Sequence, residues 1–329
     1  MRVIRIDDIN RLPSIKEKCV AAHGYFDGIH LGHQHLIKKT IKIANVKGLK
    51  SSIITFYPNP HLLFTNFYQD NSFMEVTPLS QKVKLFEDMG IDIVFVVNLF
   101  NFKDIDVKSY IDDFIVKINI GHLVIGYDNA FGKNGEGNIN TIGQLVDGKL
   151  EHTVCEPYLF EEEKVSTTRV KEFITNGDFE NANKLLGRSF KVSGTVFEGR
   201  QLGRTLGFPT ANIFLGDDQY RPGRGVFASY AYVNGCKYEA MTNVGVNPTV
   251  CDDNNIKIEV HFIDQDIDLY GKKVTVEFIS KIREEKRFEK LEELKKQLNI
   301  DESIIKSLLR TWFLLASYVL YELSIFLVR

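Results

Sequence analysis

Residues 19–34 read CVAAHGYFDGIHLGHQ and decide the architecture of the first half of the chain. Cys19 to Gly24 is a short apolar run that predicts a buried strand, and further glycines follow at positions 28 and 32. From His33 to Val46 apolar side chains recur at helical spacing, and Gly48 marks the expected end of the helix. The stretch therefore predicts a strand, a glycine-rich turn and a helix in direct succession.

The same alternation continues through the first half of the chain. Ser51–Phe56 and Ile91–Val97 are rich in β-branched residues and predict strands, with a helix over Ser80–Met89 between them. His122–Gly126 repeats the pattern of a strand followed by a loop. Alternating units of this kind predict a Rossmann-like, doubly wound α/β domain, which binds ligands beyond the carboxyl ends of its strands. The loops at 24–32 and 126–137 are expected at such ends.

Beyond Gly187 the pattern changes to short strands of alternating polarity. Glycine and asparagine turns separate these strands, which predicts a small antiparallel β-barrel. The predicted barrel strands are Lys191–Phe197, Val226–Val233, Ile256–Ile263 and Lys273–Ile279. A helix carrying Phe288, Leu291, Leu294 and Leu298 as an apolar stripe is expected to close the barrel. The expected domains are therefore residues 1–186 and 187–310, followed by an apolar tail at 311–329.

The composition limits the classes of partner and the location. The chain has 329 residues and a formal net charge of −2, which provides no field to attract nucleic acid, so no nucleic-acid partner is expected. Its 4 cysteines are scattered without a C-x-x-C pair, which indicates free thiols in a reducing compartment. Asp7 and Asp8 lie where a signal peptide needs an apolar core. We therefore expect a cytoplasmic protein.

The apolar tail is the exception to this ordinary composition. Trp312–Val328 reads WFLLASYVLYELSIFLV and contains one acid, Glu322. A membrane span needs roughly 20 apolar residues, and a carboxylate near the centre of the bilayer costs on the order of 3 kcal/mol. A packed helix or an extension of the chain is therefore expected rather than a membrane anchor.

The glycine-rich turn after the first strand has the chemistry of a phosphate site. A helix amino terminus presents backbone N–H groups and a positive dipole end to an anion. His30 and His33 could add ring N–H donors for phosphate oxygens whose charge shifts during nucleotidyl transfer. Two alternatives remain from the residues alone: surface histidines at a helix start, and a metal cluster of His30, His33 and His35.

A second glycine-rich segment, Gly203–Asn212, has different chemistry. Thr210 and Asn212 offer neutral oxygen ligands on one side of an extended segment, and such ligands suit Mg²⁺ shared with phosphate oxygens. The alternative is a glycine-rich hairpin whose asparagine is satisfied locally. The two segments together predict consecutive phosphate chemistry on one substrate.

The first segment resembles the FAD synthetase half of the bacterial bifunctional riboflavin kinase/FAD synthetases, whose signature is G-x-F-D-G-x-H-x-G-H-Q. Thr55–Pro60, Gly126–Asp128 with Phe131–Gly132, and Val165–Thr168 are similar to further segments of that family, in the same order. The resemblance implies that His30 and His33 act on ATP phosphates. The nucleotide-binding residues that it implies here are Gly24, Phe26, Asp27, Gly28, Gly126, Asp128, Ser166, Thr167, Thr168 and Lys171.

Some positions depart from the family pattern. Asn129 stands where the family usually has Phe, Asn59 where His is common, and Lys171 where Arg is usual. Lysine keeps the positive charge but loses the planar fork that grips a triphosphate. These departures predict weakened adenylyl transfer and leave open a riboflavin kinase with a degenerate amino-terminal nucleotide-binding domain. Asn129 could equally be neutral drift at a packing position.

The second segment resembles the P-T-A-N signature of riboflavin kinases. Gly225–Phe227, Asn243–Thr249, Ile258–His261, Leu269–Gly271 and Ile282–Glu285 with Phe288 continue the resemblance in order. The resemblance implies that Thr210 and Asn212 hold Mg²⁺ with ATP and that Glu259 is the base for the riboflavin hydroxyl. It further implies nucleotide contacts by Gly199, Arg204, Gly207, Phe208 and Pro209, and flavin contacts by Asn243, Gly245 and Arg283.

The implied activity is a two-step synthesis of FAD from riboflavin, with riboflavin, FMN and ATP as partners and Mg²⁺ as the metal. A homo-oligomer is compatible with the sequence. A further alternative is a flavin or nucleotide sensor without turnover, which would bind its ligands tightly and form no product.

Overall fold

The computed structural model describes residues 1–60, 74–197, 206–246, 256–265, 267 and 269–327. By its internal contacts the chain divides into two compact units, Met1–Val170 and Lys171–Arg329. Each unit has its own sheet and its own apolar core.

The first unit is built on a parallel sheet. Within its described residues, six strands pair in the order β1-β4-β3-β2-β5-β6, and every neighbouring pair is parallel. The chain moves outward from β2 to β3 and β4, and then returns to the other side of β2 for β5. The switch point of the sheet therefore lies between β2 and β5, where ligands bind in folds of this kind. The strands are β1 Arg2–Ile6, β2 Cys19–His23, β3 Lys50–Tyr57, β4 Ile93–Asn98, β5 Ile120–Gly126 and β6 Glu151–Cys155.

Helices cover both faces of this sheet. Alternate residues of β2 enter different apolar clusters: Val20 and Ala22 pack with Ile37 of the first helix, whereas Ala21 packs with Phe114 on the opposite face. This alternation follows from the two-residue period of a strand. The helices of this unit are α1 Leu31–Lys47, α2 Leu79–Asp88, α3 Leu99–Phe102, α4 Val107–Ser109 and α5 Ile142–Leu145, with a π-helical turn at Tyr110–Ile115. A small hairpin, β7 Leu159–Phe160 and β8 Glu163–Lys164, precedes the end of the unit.

The predicted α/β class of the first half is confirmed, and the predicted elements differ from the observed ones by a few residues at their ends. Strands β1 and β6 were not predicted from the sequence. Both strands lie at the edges of the sheet and are largely exposed, so they lack the continuous apolar run that marks the central strands.

The second unit contains the predicted antiparallel barrel. Among its described residues, six strands close in the order β10-β13-β12-β11-β14-β9, with β9 also paired to β10. Alternate residues such as Val192, Ile213, Ile258 and Val276 are buried inside the barrel. The strands are β9 Phe190–Phe197, β10 Thr210–Leu215, β11 Gly225–Val233, β12 Cys236–Val246, β13 Ile256–Phe262 and β14 Lys273–Arg283.

The helices of the second unit correct one prediction. They are α6 Thr167–Thr175, which crosses the division between the units, α7 Phe179–Leu186 and α8 Leu291–Leu327. Phe288 lies before α8, and Leu291 is 59% exposed, so the predicted stripe from Phe288 to Leu298 was wrong at its amino-terminal end. Leu298, Ile305 and Leu309 pack against the barrel instead, because α8 begins later and its contact face lies further along the chain.

Helix α8 runs through positions 310 and 311 without interruption. Across the helices that the structure describes, none combines enough length and apolar character to cross a bilayer. Cys19, Cys155 and Cys236 are free thiols, and Cys251 lies outside the described residues.

Candidate active sites

The segment from Gly24 to Gly32, here called the glycine turn, follows β2 at the switch point of the first sheet. The backbone N–H of Gly24 donates to the carbonyl of Ile54 in β3. Phe26 and Gly28 then adopt left-handed conformations, with φ of 58° and 79°, which lets the chain reverse tightly before α1. Phe26, Asp27 and Gly28 are buried. The turn therefore delivers the amino terminus of α1 to the carboxyl edge of the sheet, as predicted.

His30 and His33 lie together at this helix start. His30 is the N-cap of α1, and its Nδ1 accepts the backbone N–H of His33 at 3.3 Å. The two rings stack with centroids 3.7 Å apart. Because Nδ1 of His30 is an acceptor, the hydrogen of its neutral ring resides on Nε2, where it can serve as a donor.

The same geometry argues against the alternative interpretation, a metal cluster of His30, His33 and His35. The His30 and His33 rings stack face to face, and His35 lies 5.6 Å from the Tyr158 ring instead. In the described part of the chain, no group of three or more His, Cys, Asp or Glu side chains is arranged to hold a metal ion.

The segment 165–168, here called the serine/threonine loop, contacts the glycine turn. The Thr167 hydroxyl donates to the carbonyl of Asp27 at 3.0 Å, and a Cβ on Gly32 would lie 3.6 Å from the carbonyl of Val165. Ser166 accepts the N–H of Arg169 and so caps the start of α6, next to Thr168. The structure thus brings residues that are far apart in sequence to one edge of the sheet.

The loop after β5 completes this edge. Gly126 is the last residue of β5, directly beside β2 in the sheet. Asp128 is exposed and forms an ion pair with Lys164 at 3.1 Å. A nucleotide contact by Asp128 therefore competes with a solvent-exposed ion pair, which stabilises by no more than about 1 kcal/mol.

A buried ion pair between Lys82 and Glu75 packs against Tyr25 of the glycine turn. This pair was not predicted from the sequence. Lys82 of α2 is 0% exposed and lies 3.1 Å from Glu75, and its ammonium also lies 3.9 Å from the centroid of the Tyr25 ring. Burial raises the pKa of the Glu75 carboxyl, while the Lys82 charge opposes the rise. Beside this pair, Asp27 accepts the backbone N–H of Thr77 at 3.1 Å. A lysine in an amphipathic helix gives no sequence signal of burial, so this support is visible only in the fold.

Lys171 has a specific contact in the second unit. Its ammonium lies 4.9 Å from the centroid of the Tyr220 ring, a cation–π arrangement. The nucleotide contact predicted for Lys171 stays a prediction.

The kinase-type residues lie on the outer face of the barrel wall. In the ladder of β10 and β13, Asn212 pairs directly with Glu259, and Thr210 pairs with His261. Directly paired residues point to the same face of a sheet, so these side chains share one surface. Asn212 is 5% exposed, and its Oδ1 is buried without a hydrogen-bond partner among the described residues. A buried oxygen of this kind is suited to bind a metal ion or a substrate atom that comes from outside the protein.

Charged residues surround Glu259. Its Oε1 lies 2.5 Å from the Lys257 ammonium, and Asn243 of β12 pairs with Glu259 on its other side. Asn243 also hydrogen-bonds Glu285, whose carboxyl has a pKa raised by burial and by the neighbouring Glu259. A Cβ on Gly245 would overlap the carboxylate of Glu285, so glycine leaves room for Glu285 in its observed position. Lys257 and Glu285 were not singled out from the sequence.

His261 joins the two strands of this surface at their ends. Its Nδ1 lies 2.8 Å from the carbonyl oxygen of Pro209, and its ring centroid lies 5.2 Å from that of Phe208. A carbonyl can only accept, so Nδ1 carries the hydrogen. Gly207 precedes this segment with φ of +86°, a conformation that favours glycine.

The remaining predicted residues of this site are placed differently. Arg283 forms a bidentate ion pair with the buried Asp301 of α8, with contacts of 2.8 to 3.1 Å. The pairing uses its Nε–H and one Nη2–H, and its Nη1 donates to the carbonyl of Glu284 at 3.0 Å. Gly199, Arg204 and the segment 247–249 lie outside the described residues.

Comparisons with known proteins match both units. The family model described as FAD synthetase matches residues 12–169, and the one described as riboflavin kinase matches residues 186–309. A bifunctional riboflavin kinase/FMN adenylyltransferase from Listeria monocytogenes is 36% identical over 284 residues, covering 86% of this chain and 90% of that protein. The protein of the same description from Bacillus subtilis is 36% identical over 309 residues, covering 92% and 96%.

A solved structure extends this similarity to the fold. The crystal structure described as a macrolide-efflux protein from Streptococcus pneumoniae superposes with a TM-score of 0.85 at 28% identity, covering 93% of this chain and 99% of that one. With relatives above 30% identity over most of its length, the chain belongs to the family of bifunctional riboflavin kinase/FMN adenylyltransferases.

Proposed function

We propose that this chain makes FAD from riboflavin in two steps, each consuming one ATP. In the first step, the γ-phosphoryl group of ATP passes to the 5′-hydroxyl of riboflavin, giving FMN and ADP. In the second, AMP passes from ATP to the phosphate of FMN, giving FAD and pyrophosphate. Family membership supports both steps, and the direct pairing of Asn212 with Glu259 is the observation on which the kinase step depends.

The outer face of β10, β12 and β13 supplies the kinase chemistry. The 5′-hydroxyl oxygen of riboflavin attacks the γ-phosphorus of ATP, and the bond between that phosphorus and the ADP oxygen breaks. Glu259 accepts the proton that the hydroxyl loses. Thr210 and Asn212 would hold Mg²⁺, and the buried, unpartnered Oδ1 of Asn212 among the described residues fits that role. The metal, when bound, neutralises charge on the phosphate oxygens. Lys257 places a further positive charge beside Glu259.

Other residues of the barrel position the two substrates. Asn243, Gly245 and Arg283 are assigned to the flavin, with Arg283 held in place by Asp301. Gly199, Arg204, Gly207, Phe208 and Pro209 are assigned to the nucleotide. These assignments rest on the motif positions, and for Pro209 also on its contact with His261 beside Thr210.

The glycine turn supplies the adenylyl-transfer chemistry. A phosphate oxygen of FMN attacks the α-phosphorus of ATP, and the bond to pyrophosphate breaks. This nucleophile is already an anion, so no base is required. The amino terminus of α1 and the ring N–H groups of His30 and His33 would stabilise charge on the phosphates. Gly24, Phe26, Asp27, Gly28, Gly126, Asp128, Ser166, Thr167, Thr168 and Lys171 are assigned to the nucleotide.

We assign residues 1–186 to adenylyl transfer and 187–310 to phosphorylation, with the protein in the cytoplasm and the role of 311–329 left unassigned. The FAD synthetase match over residues 12–169 and the bifunctional relatives favour both activities over a kinase with a degenerate first domain. Homo-oligomer formation is tested by sedimentation of the full chain.

One incubation tests the two-step assignment. Purified protein is incubated with riboflavin, ATP and MgCl₂, and the flavins are separated by chromatography. FMN followed by FAD is the expected result, and EDTA should abolish both. FMN alone would identify a kinase with an inactive first domain. Neither product, with Glu259→Ala indistinguishable from the parent, would indicate a flavin sensor.

A further inference from the structure

A polar network of His23, Tyr110 and Asn129 lies next to the glycine turn, with His23 and Tyr110 buried. His23 is the last residue of β2 and is 2% exposed. Its Nε2 lies 2.8 Å from the Tyr110 hydroxyl, and its Nδ1 lies 3.0 Å from Oδ1 of Asn129. Nδ2 of Asn129 donates back to the carbonyl of His23 at 3.0 Å. Asn129 therefore hydrogen-bonds both the ring and the backbone of His23.

The hydrogens of this network are determined by its chemistry. Because Nδ2 of Asn129 donates to a carbonyl, Oδ1 of the same amide faces the imidazole and accepts from Nδ1–H. The Nε2 of the neutral ring is then an acceptor for the Tyr110 hydroxyl. Burial lowers the pKa of His23 to about 4, so the ring is neutral near pH 7, as this arrangement requires. Each of the polar atoms in these contacts is satisfied in one tautomer.

The network joins the two loops of the proposed ATP site. His23 immediately precedes the glycine turn, and Asn129 follows Asp128 in the loop after β5. The strands β2 and β5 are neighbours, with His23 paired to Ile125 at the switch point. The rings of Phe56 and Phe131 lie against the imidazole, with centroids 5.2 and 5.4 Å from that of His23, and help to bury it. A change at Asn129 must therefore alter the position of the glycine turn, the loop after β5, or both.

We propose that Asn129, acting through His23, is a positioning residue for ATP in adenylyl transfer. This inference rests on the proposed adenylyltransferase activity. Asn129 holds the glycine turn and the loop after β5 at the spacing that the triphosphate needs. Phenylalanine at this position, although usual in the family pattern, would remove both the acceptor for Nδ1–H and the donor to the His23 carbonyl. In this chain, His23 thus provides the hydrogen-bonding partner for the asparagine that replaces the family's usual Phe at position 129.

The test is a double-mutant cycle read in both reactions. Asn129→Phe, Asn129→Ala, His23→Leu and the pair His23→Leu/Asn129→Phe are compared with the parent for FAD formation from FMN and for FMN formation from riboflavin. Loss of buried hydrogen bonds of this kind should raise KM for ATP in FAD formation about tenfold in each single variant, with kcat changed much less. The paired variant should be no worse than either single variant, because the apolar pair leaves fewer buried polar groups unmatched. The exposed Asn140→Ala is the matched control.

The kinase reaction of the same variants shows whether a loss of FAD formation comes from misplaced ATP in the first unit or from general unfolding. KM for ATP in FMN formation should stay at the parental value in all variants. An unchanged or lower KM in FAD formation for Asn129→Phe and Asn129→Ala would overturn the proposal, as would strictly additive effects in the pair. If Asn129→Phe does not fold, Asn129→Ala carries the comparison.

A parent that forms no FAD would refute the proposed activity by itself. In that case, amide hydrogen exchange at 24–30 and 126–131 is compared between the parent and Asn129→Ala with ATP present. Faster exchange in the variant at both loops supports the positioning role, and identical exchange overturns it.

Discussion

Asn212 and Glu259 are direct partners across the antiparallel ladder of β10 and β13, 47 positions apart in the chain. The pairing places a buried amide oxygen and a carboxylate on one outer face of the barrel, next to the row formed by Thr210 and His261. The proposed metal ligand and the proposed proton acceptor are therefore held at a spacing set by the backbone ladder rather than by flexible loops.

Glu259→Gln should lower FMN formation at least about 100-fold, because the amide cannot accept the proton of the riboflavin hydroxyl. FAD formation from supplied FMN should be unchanged. Initial rates of both reactions, separated by chromatography, measure the effect. Glu292→Gln, an exposed position at the start of α8, is the control and should match the parent. Full kinase activity in Glu259→Gln would remove Glu259 from the mechanism.

Asn212→Leu should separate function from stability. The substitution removes a proposed metal ligand, so KM for MgATP in FMN formation should rise at least about tenfold, which corresponds to about 1.4 kcal/mol. Among the described residues Oδ1 of Asn212 has no hydrogen-bond partner, so the urea midpoint should stay equal or increase. A lower midpoint together with unchanged kinetics would show that Asn212 is structural.

His261 should tolerate one substitution and not another. His261→Asn keeps a donor near the Pro209 carbonyl, whereas His261→Leu keeps the packing against Phe208 but leaves that carbonyl unpaired. We expect His261→Asn to retain most kinase activity and His261→Leu to raise KM for MgATP several-fold. FAD formation serves as the internal control. Equal kinetics for the two variants would contradict a positioning role for this hydrogen bond.

Stability of the first unit should fall on acidification because of His23. Its pKa is about 4 in the folded protein, against an ordinary value of 6.5. Between these values the unfolded chain binds a proton that the folded chain does not, so stability is lost as pH falls from about 6.5 to 4 and is unaffected above that window. At pH 5 the loss is about 2 kcal/mol.

Urea unfolding at pH 7 and pH 5 measures this loss. The drop in midpoint should be smaller for His23→Leu than for the parent, whereas the exposed His152→Ala should retain the parental drop. An identical drop in His23→Leu and the parent would show that His23 does not contribute.

Much of the fold could be predicted from local patterns. The central strands β2 and β4 are mostly apolar, and β3 is rich in β-branched and aromatic residues. Helix α1 has a helical repeat with a left-handed Gly48 at its end. Local patterns alone therefore identify these elements. The edge strands β1 and β6 could not be recognised, because pairing on one side only permits polar, exposed side chains. Phe288 was misassigned to the last helix since an apolar residue at helical spacing does not reveal where the helix begins.

The candidate sites divide in the same way. The glycine turn, His30, His33, Thr210 and Asn212 are recognisable because their chemistry is contained in short contiguous segments. Lys82, Lys257 and Glu285 could not be recognised, since each acquires its role from a partner that the fold brings alongside it. Lys82 in particular is an ordinary lysine of an amphipathic helix until Glu75 and Tyr25 enclose it.

The sequence by itself determined the succession of an α/β layer and a barrel, and the residue types proposed to contact phosphate and metal, because hydrophobic periodicity and backbone geometry act over a few residues. Only the tertiary structure decided which side chains face one another. The register of β10 against β13 aligned Asn212 with Glu259, and the adjacency of β2 and β5 brought Asn129 onto His23. Register and strand order arise from the cooperative packing of distant segments, so no local window of the chain contains them.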